Sequence, residues 1–309
     1  MGKITELGYI KEVKLLQNFN PQKAGKTQRF NENLEIYTRY LEQRGRGKER
    51  MSDGELNRYA IINNRDWSIE VSKRVNWLRG VLESTGAEGF VFGNSGGKDA
   101  ALVGVLCRMA SENTIGVKMP CNTPQNFSSD RDHADLLAQE FEIIQLEANL
   151  HDAFYEIHNN IPIHLDKDAR VNIAPRLRMT TLYAIALQKG LLVVGTGNRS
   201  ERHVGYFTKF GDGGCDINPI SDLTASEVYA MAKFLEVPDE ILEKAPSAGL
   251  EEGQTDEGEL GFSYKELDEY ILGLGDLNAN IETKLKIDQL NRRSEHKRNL
   301  PMLFAEVDF

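Results

Sequence analysis

The stretch that most constrains this chain lies at residues 89–107, where a short apolar run meets a glycine-rich loop and then a helical pattern. The apolar run at 89–92 predicts a buried strand, and a helix is expected to begin near Lys98 and Asp99. Adjacent glycines at a strand-to-helix turn let bare backbone approach a ligand, and the free N–H groups of the helix start favour an anion. Ser95 adds a hydroxyl donor, and the carboxylate of Asp99 can hold a metal ion.

The spacing of this loop excludes two common nucleotide loops. No Gly-Lys-Ser/Thr closes it, as a Walker A loop requires, and it lacks the Gly-x-Gly-x-x-Gly of dinucleotide folds. Ser95-Gly96-Gly97-Lys98-Asp99 instead resembles the pyrophosphate loop of the N-type ATP pyrophosphatases, whose pattern is Ser-Gly-Gly-x-Asp-Ser. Taken by itself, the loop has an alternative interpretation as a glycine-rich turn that binds no ligand.

Composition narrows the class of protein. The 309 residues are 40% hydrophobic and 27% charged, as in ordinary globular proteins. A net charge of -10 argues against nucleic acid as the main partner. Three widely separated cysteines predict neither a disulfide framework nor a metal site, and no apolar stretch approaches the length of a membrane span. We expect a cytoplasmic protein with no membrane partner.

Apolar runs alternate with helical patterns downstream of the loop. Strands are predicted at 89–92, 115–119, 142–146 and 191–194, and helices at 67–82, 129–139, 149–159 and 173–188. This alternation is typical of a doubly wound parallel sheet, an α/β fold of Rossmann-like type. Such sheets bind ligands beyond the carboxyl ends of their strands, where both the glycine-rich loop and Thr196 are expected.

The remaining segments flank this sheet. Residues 1–66 are predicted to be a partly helical N-terminal extension, with a helix at 31–43, and residues 67–309 to be the main domain. Segments 199–218 and 245–261 have no clear periodicity and are predicted to be long functional loops. Capping signals predict helices at 225–235 and 264–272, a short helix is expected at 239–244, and a last helix at 277–298.

Five further stretches share one resemblance. Segments 172–179, 195–201, 205–214, 216–219 and 295–298 resemble motifs of the ammonia-dependent NAD synthetases, in that family's order and at close to its spacing. The resemblance runs from about residue 67 to residue 301. It implies an adenine-nucleotide α-hydrolase fold and a carbon–nitrogen ligase that forms NAD from deamido-NAD, ATP and ammonia through an acyl-adenylate.

The resemblance also implies a role for individual residues. Mg²⁺ would be held by Asp99 and Glu201, and these two residues together with Lys209 form the catalytic set. The implied ATP contacts are Gly93, Ser95, Gly96, Gly97, Lys98, Asp99, Thr196 and Ser247, and the implied deamido-NAD contacts are Arg176, Lys209, Asp216, His296 and Lys297.

Two positions depart from the family pattern, and both concern ATP. Ala100 lacks the hydroxyl of the family loop, and Ala225 stands where the family usually has a lysine. Lys98 is predicted to supply part of the missing positive charge. Two alternatives remain. One is an amide ligase for another carboxylate, and the other, motivated by the two departures, is a dinucleotide-binding protein with weakened ATP chemistry.

The resemblance further implies a homodimer. Residues 1–66 are too few for a glutaminase domain, and no cysteine precedes Cys107 to serve as its nucleophile. We therefore expect ammonia to arrive free or from a separate protein.

Overall fold

A computed structural model of the protein describes residues 65–244, 256–274, 281–299 and 301. The chain divides into two compact units, Met1–Trp77 and Leu78–Phe309. The predicted helix at 31–43 and nearly all of the predicted extension lie outside the described residues. In the first unit the structure describes residues 65–77, which contain the start of helix α1 (Trp67–Thr85).

The second unit is organised on a parallel four-stranded sheet with the order β3-β2-β1-β4. Val91 of β1 lies opposite Ile115 of β2 and Val193 of β4. The predicted α/β fold is therefore confirmed, and each strand lies within two residues of its predicted position. The strands are β1 (Gly89–Gly93), β2 (Thr114–Lys118), β3 (Ile144–Glu147) and β4 (Leu191–Val194).

Side chains of the central strand alternate between two covered faces, as the period of a strand requires. Val91 joins an apolar cluster with Leu182 and Ala186 of the long helix that precedes β4. Phe92 points to the other face, where a Cβ on Gly104 would lie 2.6 Å from its ring. Helices therefore pack against both faces of the sheet at its central strand.

The helices begin and end close to the predicted positions. Thr224 and Ser263 form capping boxes with glutamates three residues later, as their sequence signals indicate. The helices that follow α1 are α2 (Lys98–Ala110), α3 (Ser129–Glu140), α4 (His151–Asn160), α5 (Lys167–Val171), α6 (Ile173–Lys189), α7 (Arg199–Val204), α8 (Ala225–Phe234), α9 (Asp239–Leu242), α10 (Asp256–Leu260), α11 (Tyr264–Leu272), α12 (Ile281–Arg293) and α13 (Glu295–Arg298).

Three predictions about the second half of the chain need correction. The segment 199–218 begins with helix α7, whose six residues are too few to show a period but are capped by Asn198. Within 245–261, residues 256–260 form α10, and residues 245–255 lie outside the described part. The predicted helix at 277–298 is interrupted at Ser294, whose hydroxyl donates to the carbonyl of Leu290 at 2.6 Å.

Among the residues that the structure describes, no helix combines the length and the apolar character needed to cross a membrane.

The first turn of α1 contains a partly buried ion-pair cluster around Glu70. Its carboxylate lies 2.5 Å from Arg74, 2.9 Å from Arg65 and 3.0 Å from Lys73. Burial by itself raises the pKa of Glu70, but hydrogen bonds and charges from Arg74, Lys73 and Arg65 outweigh it and lower the pKa to about 2. The ionised carboxylate therefore stabilises the folded state above its ordinary pKa.

We predict that Glu70→Gln lowers the free energy of unfolding by about 1–2 kcal/mol at pH 7. Because the pKa of Glu70 is lowered on folding, this difference is fully present above pH 4.5 and shrinks as the pH falls toward 2. Urea unfolding of both proteins at pH 7 and pH 3 measures it, with the exposed Glu112→Gln as control. A difference that does not shrink at pH 3 would contradict the prediction.

Candidate functional site

The candidate site lies where the order of the sheet reverses. The chain leaves β3 at one edge and returns as β4 on the far side of β1, so the connections at the carboxyl ends of β1 and β4 diverge and leave a crevice between them. The glycine-rich loop follows β1 and the segment 195–198 follows β4. Two stretches that are about a hundred residues apart in sequence thus meet at one edge.

The glycine-rich loop is held from behind by Asn94, which is 3% exposed. Its side-chain amide donates to the carbonyl of Ala134 at 3.0 Å and to Oε1 of Gln145 at 3.2 Å. Its Oδ1 accepts the amide of Gly96 at 3.4 Å. The loop is therefore fixed before any ligand enters.

The two adjacent glycines serve different purposes. Gly96 has φ +70°, and a Cβ there would lie 2.3 Å from the carbonyl oxygen of Asp130. Gly97 has φ -94°, and a Cβ there would meet nothing closer than Oγ of Ser95 at 3.4 Å. Gly96 is thus required by the fold, whereas Gly97 keeps the approach to the N-terminus of α2 open.

A cavity of 430 Å³ opens in front of this loop. It has the size of a small-molecule site and contains both carboxylates and cations. Most of the predicted ATP and metal residues line it, namely Gly93, Ser95, Gly97, Lys98, Asp99, Thr196 and Glu201. Ser247, the remaining predicted ATP contact besides Gly96, lies outside the described residues.

Asn198 joins the two predicted metal carboxylates. This fully buried residue donates from its side-chain amide to Oδ1 of Asp99 at 2.9 Å. Its backbone N–H donates to Oε2 of Glu201 at 2.9 Å, and its Oδ1 accepts the amide of Glu201 at 3.0 Å. The capping box of α7 therefore orients Glu201 toward the carboxylate that α2 presents.

Helix α7 is anchored in turn by a buried polar network. The hydroxyl of Ser200 donates to Oδ1 of Asp268 and accepts the amide of Ala225 at 3.0 Å. The other oxygen of Asp268 accepts the amide of Ser226 at 2.8 Å. This network connects α7, α8 and α11, and it fixes the residue that precedes Glu201.

The electrostatics of the pair favour an added cation. Burial and the nearby charge of Asp99 raise the pKa of Glu201 well above its ordinary range. Carboxylate oxygens are the ligands that Mg²⁺ prefers, so the donor set fits that ion. Among the described residues, no group of three His, Cys, Asp or Glu could hold a metal. A cation at this pair would take its other ligands from water or from a bound phosphate.

Further carboxylates line the same cavity, among them Asp256 and Glu259. Asp256 is 4% exposed and accepts the hydroxyl of Tyr264 at 3.0 Å, while Glu259 accepts the hydroxyl of Tyr206 at 2.8 Å. Burial and the surrounding carboxylates raise the pKa of Tyr264. The sequence predicts a functional loop at 245–261 but does not single out Asp256 within it.

Two further cations of the cavity wall are not among the predicted site residues. Arg178 lines the cavity and donates to Oδ1 of Asn126 at 3.0 Å and to the carbonyl of Met119 at 3.2 Å. Lys244 lies 2.5 Å from Asp130. No local sequence signal distinguishes either residue from an ordinary surface cation.

Of the five residues predicted to bind deamido-NAD, the structure places one in the lining of the cavity and four outside it. Lys297 lines the cavity, and its ammonium donates to the carbonyls of Gly205 and Phe207 at 2.9 Å. The ammonium of Lys209 lies outside the lining and donates to the carbonyls of His296 and, at 3.2 Å, Asn299. Each lysine thus donates to backbone carbonyls of the segment that contains the other lysine.

The other three predicted contacts are exposed residues beside the cavity rather than in its lining. Arg176 donates to the carbonyls of Asn172 at 3.3 Å and Lys209 at 3.5 Å. Nδ1 of His296 lies 3.1 Å from the carbonyl of Arg293. Asp216 accepts the hydroxyl of Tyr183 at 3.1 Å and the amide of Val193 at 2.8 Å.

The two departures from the family pattern differ in position. Ala100 is buried and lines the cavity at the first turn of α2. Ala225 is outside the lining and belongs to an apolar cluster with Leu260, Phe262 and Tyr264. The first departure thus lies at the cavity, and the second does not.

Comparison with known proteins gives one consistent result. Residues 70–301 match the family model described as NAD synthase. An NH(3)-dependent NAD(+) synthetase of Carboxydothermus hydrogenoformans is 43% identical over 238 residues, which are 76% of this chain and 97% of that protein.

Two solved structures share the fold of this chain, although the products in their names differ. An NMN synthetase from Francisella tularensis has a TM-score of 0.73 and 36% identity, covering 79% of this chain and 100% of that one. An NH3-dependent NAD synthetase from Campylobacter jejuni has a TM-score of 0.66 and 25% identity, covering 78% and 100%.

The contrast between the two glycines gives a matched pair of variants. We predict that Gly96→Ala lowers the free energy of unfolding by about 1–3 kcal/mol, because the left-handed backbone and the Asp130 carbonyl both resist a Cβ. Gly97→Ala is expected to change it by less than about 0.5 kcal/mol. Urea unfolding of the two variants measures the difference, and equal losses would show that Gly96 is not strained.

Proposed function

The chain belongs to the NAD synthase family, and from this premise we propose that it forms NAD from deamido-NAD, ATP and ammonia. The observation that carries the proposal is the meeting of the glycine-rich loop, Asp99 and Glu201 in one cavity. These are the groups needed to bind a nucleoside triphosphate and to stabilise a leaving pyrophosphate. The retained carboxylate pair also disfavours a dinucleotide-binding protein that has lost its chemistry.

The reaction has two steps because a carboxylate resists direct attack by ammonia. In the first step, an oxygen of the nicotinate carboxylate attacks the α-phosphorus of ATP, and the bond to the bridging oxygen of pyrophosphate breaks. In the second step, ammonia attacks the carbonyl carbon of the acyl-adenylate and AMP leaves. The nitrogen loses a proton, and NAD, AMP and pyrophosphate are the products.

The loop and the N-terminus of α2 supply donors for the leaving pyrophosphate. Ser95 presents a hydroxyl, and the open backbone at Gly97 presents an amide. Asp99 and Glu201 would hold Mg²⁺, which supplies positive charge beside the phosphates when bound. Gly93, Lys98 and Thr196 complete the proposed ATP side of the cavity, and the part played by Ser247 rests on the family resemblance alone.

The substrate side of the proposal rests on Lys297. Its ammonium lies in the cavity wall, over the ring of Phe207 at 5.6 Å, and is available to a phosphate or carboxylate that replaces the two carbonyls. Lys209, Arg176, His296 and Asp216 are proposed as contacts of the same ligand outside the cavity. They would hold the part of deamido-NAD that extends toward α13.

Three further parts of the proposal concern the whole molecule. We propose that residues 1–66 form an extension and residues 67–309 the synthetase domain. We also propose that the protein is cytoplasmic. A homodimer is supported by exposed apolar side chains on α4 and α6, among them Ile157 and Leu187. Light scattering at micromolar concentration tests the dimer.

The decisive experiment is incubation of the purified chain with ATP, Mg²⁺, deamido-NAD and ammonium, with NAD measured by its absorbance after enzymatic reduction. The proposal expects one AMP and one pyrophosphate for each NAD. Bound dinucleotide without NAD would favour a binding protein instead. Pyrophosphate release with a different carboxylate but not with deamido-NAD would favour another amide ligase.

Substitution of the carboxylate pair tests the proposed chemistry. We predict that Asp99→Asn and Glu201→Gln each lower kcat/KM by about 100-fold or more, because each removes a charge beside the leaving pyrophosphate. Glu142→Gln is the control, since it changes a glutamate on the surface whose partner is Arg108 at 3.3 Å. Near-normal activity of both site variants would overturn the proposed metal role.

A mononucleotide substrate is a second candidate, favoured by the relative named NMN synthetase. It would be the nicotinate mononucleotide, whose carboxylate is the same and which lacks the adenylyl half. We predict a kcat/KM about tenfold or more higher for deamido-NAD, because remote contacts of a larger substrate contribute to transition-state binding. The reverse ratio would make the mononucleotide the substrate.

A further inference from the structure

Lys98 places a buried ammonium group among the carboxylates of the site. Its Nζ lies 3.0 Å from Oδ2 of Asp99, and its side chain is 13% exposed. The ammonium also interacts electrostatically with Glu201 and Asp256. It lies 5.9 Å from the centre of the Tyr264 ring, whose hydroxyl donates to Asp256.

The position of Lys98 matters because carboxylates of like charge repel one another where water is scarce. Oδ1 of Asp99 already accepts the amide of Asn198, and Oδ2 accepts Lys98. A divalent cation that approached Oδ2 would meet the ammonium within a few ångströms. Two cations at that distance repel each other, so they cannot share the carboxylate without cost.

We propose that Lys98 is an internal counter-ion of the site, which neutralises Asp99 and its neighbouring carboxylates in the ligand-free protein and must yield Asp99 to an incoming divalent cation. Lys98 thereby sets the affinity for the cation and keeps it low until a nucleotide is present. Phosphate oxygens would then provide a second anionic partner for the displaced ammonium. This inference rests on the proposed role of Asp99 and Glu201 as cation ligands.

The test is the affinity of the nucleotide-free protein for Mn²⁺, followed by the electron paramagnetic resonance of the free ion. Lys98→Met keeps the length of the side chain and removes its charge, and we expect it to bind Mn²⁺ about tenfold more tightly than wild type. Lys118→Met is the matched control, since it removes a lysine of the same cavity that pairs with Asp135 and Glu147. It is expected to change the affinity less than about twofold.

If Lys98→Met does not fold, labelling of the wild-type protein still tests the inference. Reductive methylation read by mass spectrometry should modify Lys98 faster when Mn²⁺ is added, with Lys118 as the internal reference. Unchanged labelling of Lys98, or a folded Lys98→Met that binds Mn²⁺ no more tightly than wild type, would overturn the counter-ion role.

These outcomes are separate from those of the enzyme assay. A protein that makes NAD but shows no effect of Lys98→Met on Mn²⁺ binding would refute the counter-ion and leave the synthetase intact. A protein that makes no NAD but binds Mn²⁺ more tightly after Lys98→Met would refute the synthetase and support the counter-ion.

Discussion

The site depends on one buried asparagine that joins the ends of two strands. Asn198 begins α7 after β4, and its side-chain amide reaches the carboxylate that α2 presents after β1. With no exposed surface, it has lost its contacts with water and must be fully satisfied by protein groups. The distance between Asp99 and Glu201 is therefore set by hydrogen bonds rather than by flexible loops. A carboxylate pair held in this way is ready for a cation before the cation arrives.

The described residues that line the cavity carry charges of both signs. Lys98 pairs with Asp99, and Lys244 pairs with Asp130. Arg178 donates to neutral oxygens of Asn126 and Met119. An overall acidic protein can thus bind polyanionic nucleotides, because the local arrangement of charge decides what the cavity attracts.

The sequence predicted the parts of the molecule whose signals are local. The strands, the capping boxes of α8 and α11, and the glycine-rich loop each depend on residues close together in the chain. Asn198 and Asp256 were missed for the opposite reason. Asn198 donates to Asp99, which is far away in the sequence, and only folding brings Asp256 to the cavity that Asp99 lines. Lys209 stays a predicted ligand contact, and its present hydrogen bonds are to the backbone carbonyls of His296 in α13 and of Asn299, which follows that helix.

Lys297 in the cavity wall and Lys209 outside it make substrate binding an exchange of hydrogen bonds. Lys297 and Lys209 each satisfy carbonyls of the segment that carries the other. A ligand that draws the ammonium of Lys297 toward its phosphates leaves the carbonyls of Gly205 and Phe207 to water. The binding free energy is then the difference between the ligand-free protein, in which the ammonium bonds to carbonyls, and the complex, in which it bonds to the ligand. The affinity is therefore lower than the contacts in the complex suggest. Discrimination between ligands increases, because a poor anion cannot compensate for the bonds that it displaces.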